Sequence, residues 1–162
     1  MSASSLERLL PDPAATERLG ADLARALGQR PIVIHLQGDL GAGKTTLARG
    51  LLRALDHAGP VRSPTYTLME PYSLGCRRVL HLDLYRMADP EELEYLGLRE
   101  EVGKANLILV EWPEQGGELL PAADLLVALR DQDEGRMASV QALTREGLNL
   151  LARLAGTSAD VQ

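Results

Sequence analysis

The stretch Gly38-Asp39-Leu40-Gly41-Ala42-Gly43-Lys44-Thr45 constrains this chain more than any other. It has the form G-x-x-x-x-G-K-[ST]. The apolar run Ile32-Val33-Ile34-His35-Leu36 leads into it, and the helical pattern Thr46-Leu47-Ala48-Arg49-Gly50-Leu51-Leu52-Arg53-Ala54-Leu55 follows it. Strand, glycine loop and helix in that order form the setting of a phosphate loop. The glycines let backbone N–H groups converge on a phosphate at torsions other residues avoid. The start of the next helix adds unpaired N–H donors and partial positive charge. On this reading Gly38, Asp39, Leu40, Gly41, Ala42, Gly43 and Thr46 help cradle a nucleotide. Lys44 reaches the β- and γ-phosphates, and Thr45 gives its hydroxyl to Mg²⁺. The rival account is a turn that binds nothing. The chain has two lysines, Lys44 and Lys104, so a chance match is on the order of one in several hundred.

The rest of the composition narrows the class. With 162 residues, one domain is expected, over 1–155, with 156–162 as a flexible tail. A net charge of −6 argues against a stand-alone nucleic-acid binder, which would carry a basic face. Cys76 is the sole cysteine, which fits a reducing compartment. Residues 1–8 lack the apolar core of a signal peptide, and no apolar stretch approaches the ~20 residues that span a bilayer. These features predict a cytoplasmic protein with no membrane attachment.

Along the chain, residues 1–10 form a short strand or stay loose. Asp12-Pro13 opens a helix, with Ala15, Leu19, Leu23 and Leu27 on one face and Gly28 as its stop. After the phosphate loop and its helix, residues 62–72 enter an edge strand, because Pro71 cannot donate to a sheet ladder. Ser73-Leu74-Gly75-Cys76 joins it to a strand ending at Tyr85, an antiparallel hairpin. Asp89-Pro90 caps a short helix ended by Gly97. Asn106-Leu107-Ile108-Leu109-Val110-Glu111 is apolar on both faces and therefore central. Two closing strands flank a turn at 131–135, and Thr144 caps a last helix to Leu154. The sum is a three-layer α/β/α P-loop NTPase-like sandwich with a mixed, mostly parallel sheet and an antiparallel hairpin.

A phosphate loop needs a carboxylate opposite its Thr to hold Mg²⁺. Glu111 and Asp83 each end an apolar strand, and both fit as metal ligands or catalytic groups. Thr65 lies where switch proteins place a hydroxyl that senses the γ-phosphate; the alternative is a turn threonine bonding its own backbone. The guanine-reading set Asn-Lys-x-Asp does not occur, which favours adenine. Trp112 follows Glu111, as a core residue or a site contact. The acidic stretch 89–101 reads as a solvated helix face. His35, His57 and His81 lack metal-ligand spacing and read as structural or surface residues.

Five stretches in this order resemble the TsaE (formerly YjeE) family, the small bacterial ATPases of tRNA threonylcarbamoyladenosine synthesis. They are the loop through Thr46-Leu47, Ser63-Pro64-Thr65-Tyr66-Thr67-Leu68, His81-Leu82-Asp83-Leu84-Tyr85-Arg86, Asp89-Pro90-Glu91-Glu92-Leu93 with Leu96-Gly97-Leu98, and Glu111-Trp112-Pro113-Glu114. The resemblance implies an ATP- and Mg²⁺-dependent ATPase that supports turnover of a TsaB–TsaD partner pair and meets tRNA only through that complex. It implies that Lys44 binds phosphate, that Thr45 and Glu111 hold Mg²⁺, that Asp83 is a functional acid and that the Thr65 loop is switch-like. It places adenine near Asp12, Thr16 and Arg136. Two other readings share the phosphate loop. One is a small-molecule or nucleoside kinase; the other is a nucleotide-dependent binding module without meaningful turnover.

Overall fold

Residues 4–61, 64 and 66–159 are described by a computed structural model. The chain opens with β1 (Ser5–Leu10) and α1 (Pro13–Ala26). Asp12 caps α1 as expected, its carboxylate accepting the Ala15 N–H at 2.8 Å. The helix stops at Ala26, where Leu27 turns extended, one residue before the expected glycine. Then come β2 (Ile32–Gln37), the glycine loop and α2 (Lys44–Ala54). A hairpin follows, β3 (Met69–Leu74) and β4 (Arg77–Asp83), then two short helices, α3 (Glu91–Tyr95) and α4 (Leu98–Lys104). The last elements are β5 (Leu107–Glu111), β6 (Leu125–Gln132), β7 (Gly135–Ala142) and α5 (Arg145–Ala159).

The seven strands make one sheet in the order β1-β7-β6-β2-β5-β4-β3. The four central strands β6, β2, β5 and β4 are mutually parallel. Antiparallel partners close both edges. Pro71 sits on an edge strand, where its missing N–H costs no ladder bond. Leu107 to Val110 are all buried, as a strand covered on both faces must be.

Side-chain alternation splits the core in two. Ile34, Leu36, Leu109 and Val127 face α1, α2 and α5. Leu80, Leu82, Ile108 and Val110 face the other side, beneath α3 and α4. The second helical layer is thin. Gly97, at φ 79°, ends α3 as expected, and a second short helix, α4, follows it. Leu93 and Leu98 anchor those helices and are fully or nearly fully buried. The last helix runs to Ala159, past the expected end at Leu154, and takes in residues 156–159.

The α1–α2 contact sets the loop's position. A Cβ on Gly20 of α1 would overlap the Leu47 carbonyl, and one on Gly50 of α2 would overlap the Glu17 carbonyl. Two glycines facing each other's backbone let the helices approach more closely than side chains permit. That approach packs Thr16 of α1 beside Gly43 of the loop.

Candidate functional site

The glycine loop lies at the C-terminal end of β2, beside the same ends of β5 and β4, where open α/β sheets place their crevices. Gly43, at φ 110°, is the residue just before α2. A side chain there would be strained, so glycine alone sets the sharp entry that aims the first-turn N–H groups into the loop. Gly38 has little space as well: a Cβ would lie 2.8 Å from the Leu129 carbonyl oxygen.

A cavity of about 470 Å³ opens over this loop, lined by Lys44, Thr45, Asp83, Glu111, Trp112 and Arg86 among others. Lys44 is 5% exposed. Its ammonium donates to the carbonyls of Gly38 and Asp39 and lies 3.7 Å from the centre of the Trp112 ring. Burial pushes its pKa below the usual lysine value, and the opposing charges of Glu111 and Asp83 recover part of that shift. Trp112 reaches over the lysine because β5 ends in a left-handed residue, with Trp112 at φ 58°. That conformation is a true outlier for a bulky side chain and gathers at functional sites. Tyr85 braces the indole, ring centres 4.9 Å apart.

The parallel register sets Asp83 beside Glu111. Both acids are buried, at 3% and 2% exposure, and both line the cavity. The Thr45 hydroxyl donates to Glu111, at 3.3 Å from Oε1 and 3.4 Å from Oε2. Asp83 Oδ1 accepts the Tyr85 N–H at 3.1 Å. Glu111 stands on the strand next to β2, and Asp83 one strand further out. Glu111 is thus the acid facing Thr45, the pairing that the sequence left open between the two.

On the other flank of the loop is a cavity of about 220 Å³. It brings together Asp12, Thr16, Thr46 and Arg136, residues far apart in sequence. The Arg136 guanidinium donates to the carbonyls of Ala42 and Gly41, at 3.2 and 3.4 Å, and pairs with Asp131 at 2.9 Å. Part of its hydrogen-bonding capacity therefore splints the loop itself. Asp39 and Leu40 are exposed at the loop's tip. Thr65 lies outside the described residues.

His81, read from the sequence as structural or surface, is an interior residue, and its contact with an acid was not foreseen. It is fully buried, and its Nε2 is 2.7 Å from Glu111 Oε2. Spacing alone puts His81 and Asp83 on one side of their strand; the pairing of β4 with β5 is what brings Glu111 to them. Among the described residues no helix is long and apolar enough to cross a membrane.

Three kinds of comparison bear on this arrangement. The family model for "Threonylcarbamoyl adenosine biosynthesis protein TsaE" matches residues 10–138. A Haemophilus influenzae protein named tRNA threonylcarbamoyladenosine biosynthesis protein TsaE is 43% identical over 152 residues, 91% of this chain and 96% of that protein. The Bacillus subtilis protein of the same name is 39% identical over 110 residues, 68% of each chain. The crystal structure of Bacillus subtilis YdiB superposes with a TM-score of 0.80 at 29% identity, covering 98% of both chains.

Proposed function

Because this chain belongs to the TsaE family of threonylcarbamoyl adenosine biosynthesis proteins, we propose that it serves tRNA threonylcarbamoyladenosine biosynthesis as an Mg²⁺-dependent ATPase supporting a TsaB–TsaD partner pair. The observation that carries the ATPase reading is the Thr45 hydroxyl facing the Glu111 carboxylate at the head of a glycine loop. Hydroxyl and carboxylate are hard oxygen donors, and they fit Mg²⁺, which takes few protein ligands and shares phosphate oxygens. Bound there, Mg²⁺ supplies positive charge to the phosphates undergoing transfer.

The chain's own groups do the rest. Backbone N–H groups of residues 41–46 converge on the phosphate tail. Lys44 exchanges its carbonyl partners for phosphate oxygens, a stronger charge-assisted contact. Asp83, buried beside Glu111, orients a water through its carboxylate on this reading. Asp12, Thr16 and Arg136 border the second cavity, which takes the adenosine end. The acidic balance suits a subunit that meets tRNA through its partners.

The test is ATP turnover by the protein alone and with the TsaB–TsaD pair, repeated with Lys44→Ala. Slow phosphate release alone, acceleration with the partners and loss in the variant are expected; the arginine that speeds hydrolysis can come from a partner. Turnover unchanged by Lys44→Ala overturns the reading. ATP consumed in step with a phosphorylated metabolite, rather than free phosphate, makes the protein a kinase.

A further inference from the structure

Glu111 is held by two donors of unequal discrimination. The Thr45 hydroxyl is almost equidistant from its two oxygens, 3.3 and 3.4 Å, so it does not select an orientation of the carboxylate. His81 does, because its Nε2 lies 2.7 Å from Oε2. The geometry points to His81 as a positioning residue: it donates Nε2–H to Glu111 Oε2, fixes the carboxylate plane, and leaves Oε1 as the oxygen offered to the metal. The inference rests on the reading of Glu111 as a Mg²⁺ ligand.

Register explains the arrangement. Asp83 lies opposite Glu111, so His81, two residues earlier on the same face, reaches Glu111 diagonally. The other end of the imidazole identifies the tautomer. Nδ1 is buried with no hydrogen-bond partner. A bare ring nitrogen tolerates that position better than an N–H, which would leave a buried donor unmet. A ring carrying its hydrogen on Nε2 is the form that fits. A role in packing alone would be served better by an apolar side chain, since Val79, Leu80 and Leu82 of the same strand are all buried and none leaves a polar atom unpaired. Groups that orient a metal ligand from behind cost 10- to 100-fold in metal affinity when removed.

The experiment compares wild type with His81→Leu and His81→Gln. Glutamine reaches as far as Nε2 and carries an N–H; leucine fills the space without one. ATP affinity is titrated against Mg²⁺ by calorimetry, with metal-free ADP binding as the control for folding. His81→Leu is expected to raise the Mg²⁺ needed for half-maximal gain about 10- to 100-fold, leave metal-free ADP binding unchanged, and be rescued in large part by His81→Gln. Long-range ¹⁵N NMR of the wild-type imidazole should show Nε2 protonated and Nδ1 bare. An unchanged Mg²⁺ requirement in His81→Leu, or a leucine-like glutamine variant, overturns the role of His81. So does a ring whose Nε2 carries no hydrogen, a measurement that stands even if the variants fail to fold. A wild type whose ATP affinity gains nothing from Mg²⁺ overturns the metal reading of the site instead.

Discussion

The Lys44 ammonium sits 3.7 Å from the centre of the Trp112 ring, and the left-handed turn at Trp112 is what brings the indole there. A cation over an indole face is stabilised by the ring quadrupole, by about 0.5–2 kcal/mol depending on solvent access. Phosphate oxygens would compete with that ring and with the Gly38 and Asp39 carbonyls for the same ammonium. The contact joins the loop after β2 to the end of β5, so a phosphate held in the loop would be felt at the neighbouring strand.

Trp112 is the chain's one tryptophan, so its fluorescence isolates this contact. Adding Mg²⁺ and ATP is expected to change its emission, with a midpoint equal to the calorimetric Kd. Lys44→Met should alter the emission before any nucleotide is added. Constant emission at nucleotide concentrations that saturate by calorimetry would break the link between Lys44, phosphate and Trp112.

The buried ammonium also has a stability signature. Its pKa is lowered in the folded protein, chiefly by burial, from the ordinary 10.5. Between the lowered value and 10.5 the unfolded chain binds more protons than the folded one, so stability rises with pH across that window. Below the window the folded state carries the full cost of the buried charge. Lys44→Met removes that cost. The variant is expected to be more stable than wild type near neutral pH, with the difference shrinking as pH climbs toward 10.5. Urea unfolding midpoints of the two proteins across that range measure it. A difference that widens with pH contradicts the assignment.

Glu111→Gln keeps the side chain's shape and removes its charge. Groups that merely orient a metal ligand are worth 10- to 100-fold, so loss of the ligand charge itself is expected to lower partner-stimulated phosphate release by at least about 100-fold. Metal-free ADP binding should persist, since the loop amides and Lys44 remain. Steady-state turnover and calorimetry on the same preparation check both halves. Full turnover in the variant would move the metal to Asp83.

Much of the site was legible because glycine torsions, one lysine and one threonine must follow one another in a fixed order. Asp12 and Pro13 likewise announce a helix start through local chemistry. Which of Asp83 and Glu111 lies against Thr45 was not legible, because it depends on β5 inserting between β2 and β4, a nonlocal pairing. The contact of His81 with Glu111 was hidden for the same reason. A histidine in an apolar strand looks like filler until the neighbouring strand sets a carboxylate against it. The end of α3 at Gly97 was legible, since a glycine there can take the left-handed φ of 79°; the return to helix in α4 was not, because it depends on Leu98 being buried against the core.

The final prediction concerns the helix pair that carries the loop. Gly20 and Gly50 sit where a Cβ would overlap the partner helix's backbone, at Leu47 and Glu17 respectively. Backbone cannot swing aside as a flexible side chain does, so relief requires α1 and α2 to move apart. Alanine favours a helix over glycine by roughly 1 kcal/mol, so a surface glycine replaced this way would gain stability. Overpacking of a tight core contact costs about 1–3 kcal/mol or more, and it wins here because both obstructing groups are main chain. Gly50→Ala is expected to lower Tm, by roughly 2–4 °C for each kcal/mol lost in a domain of this size. It should also weaken nucleotide binding, because separating the helices draws Thr16 away from Gly43. Gly156→Ala, on α5 with nothing near its would-be Cβ, is the control and should keep or raise Tm. Calorimetric melting of the two variants decides the matter: a Gly50→Ala protein as stable as Gly156→Ala would mean that the α1–α2 contact yields more easily than its close backbone approach implies.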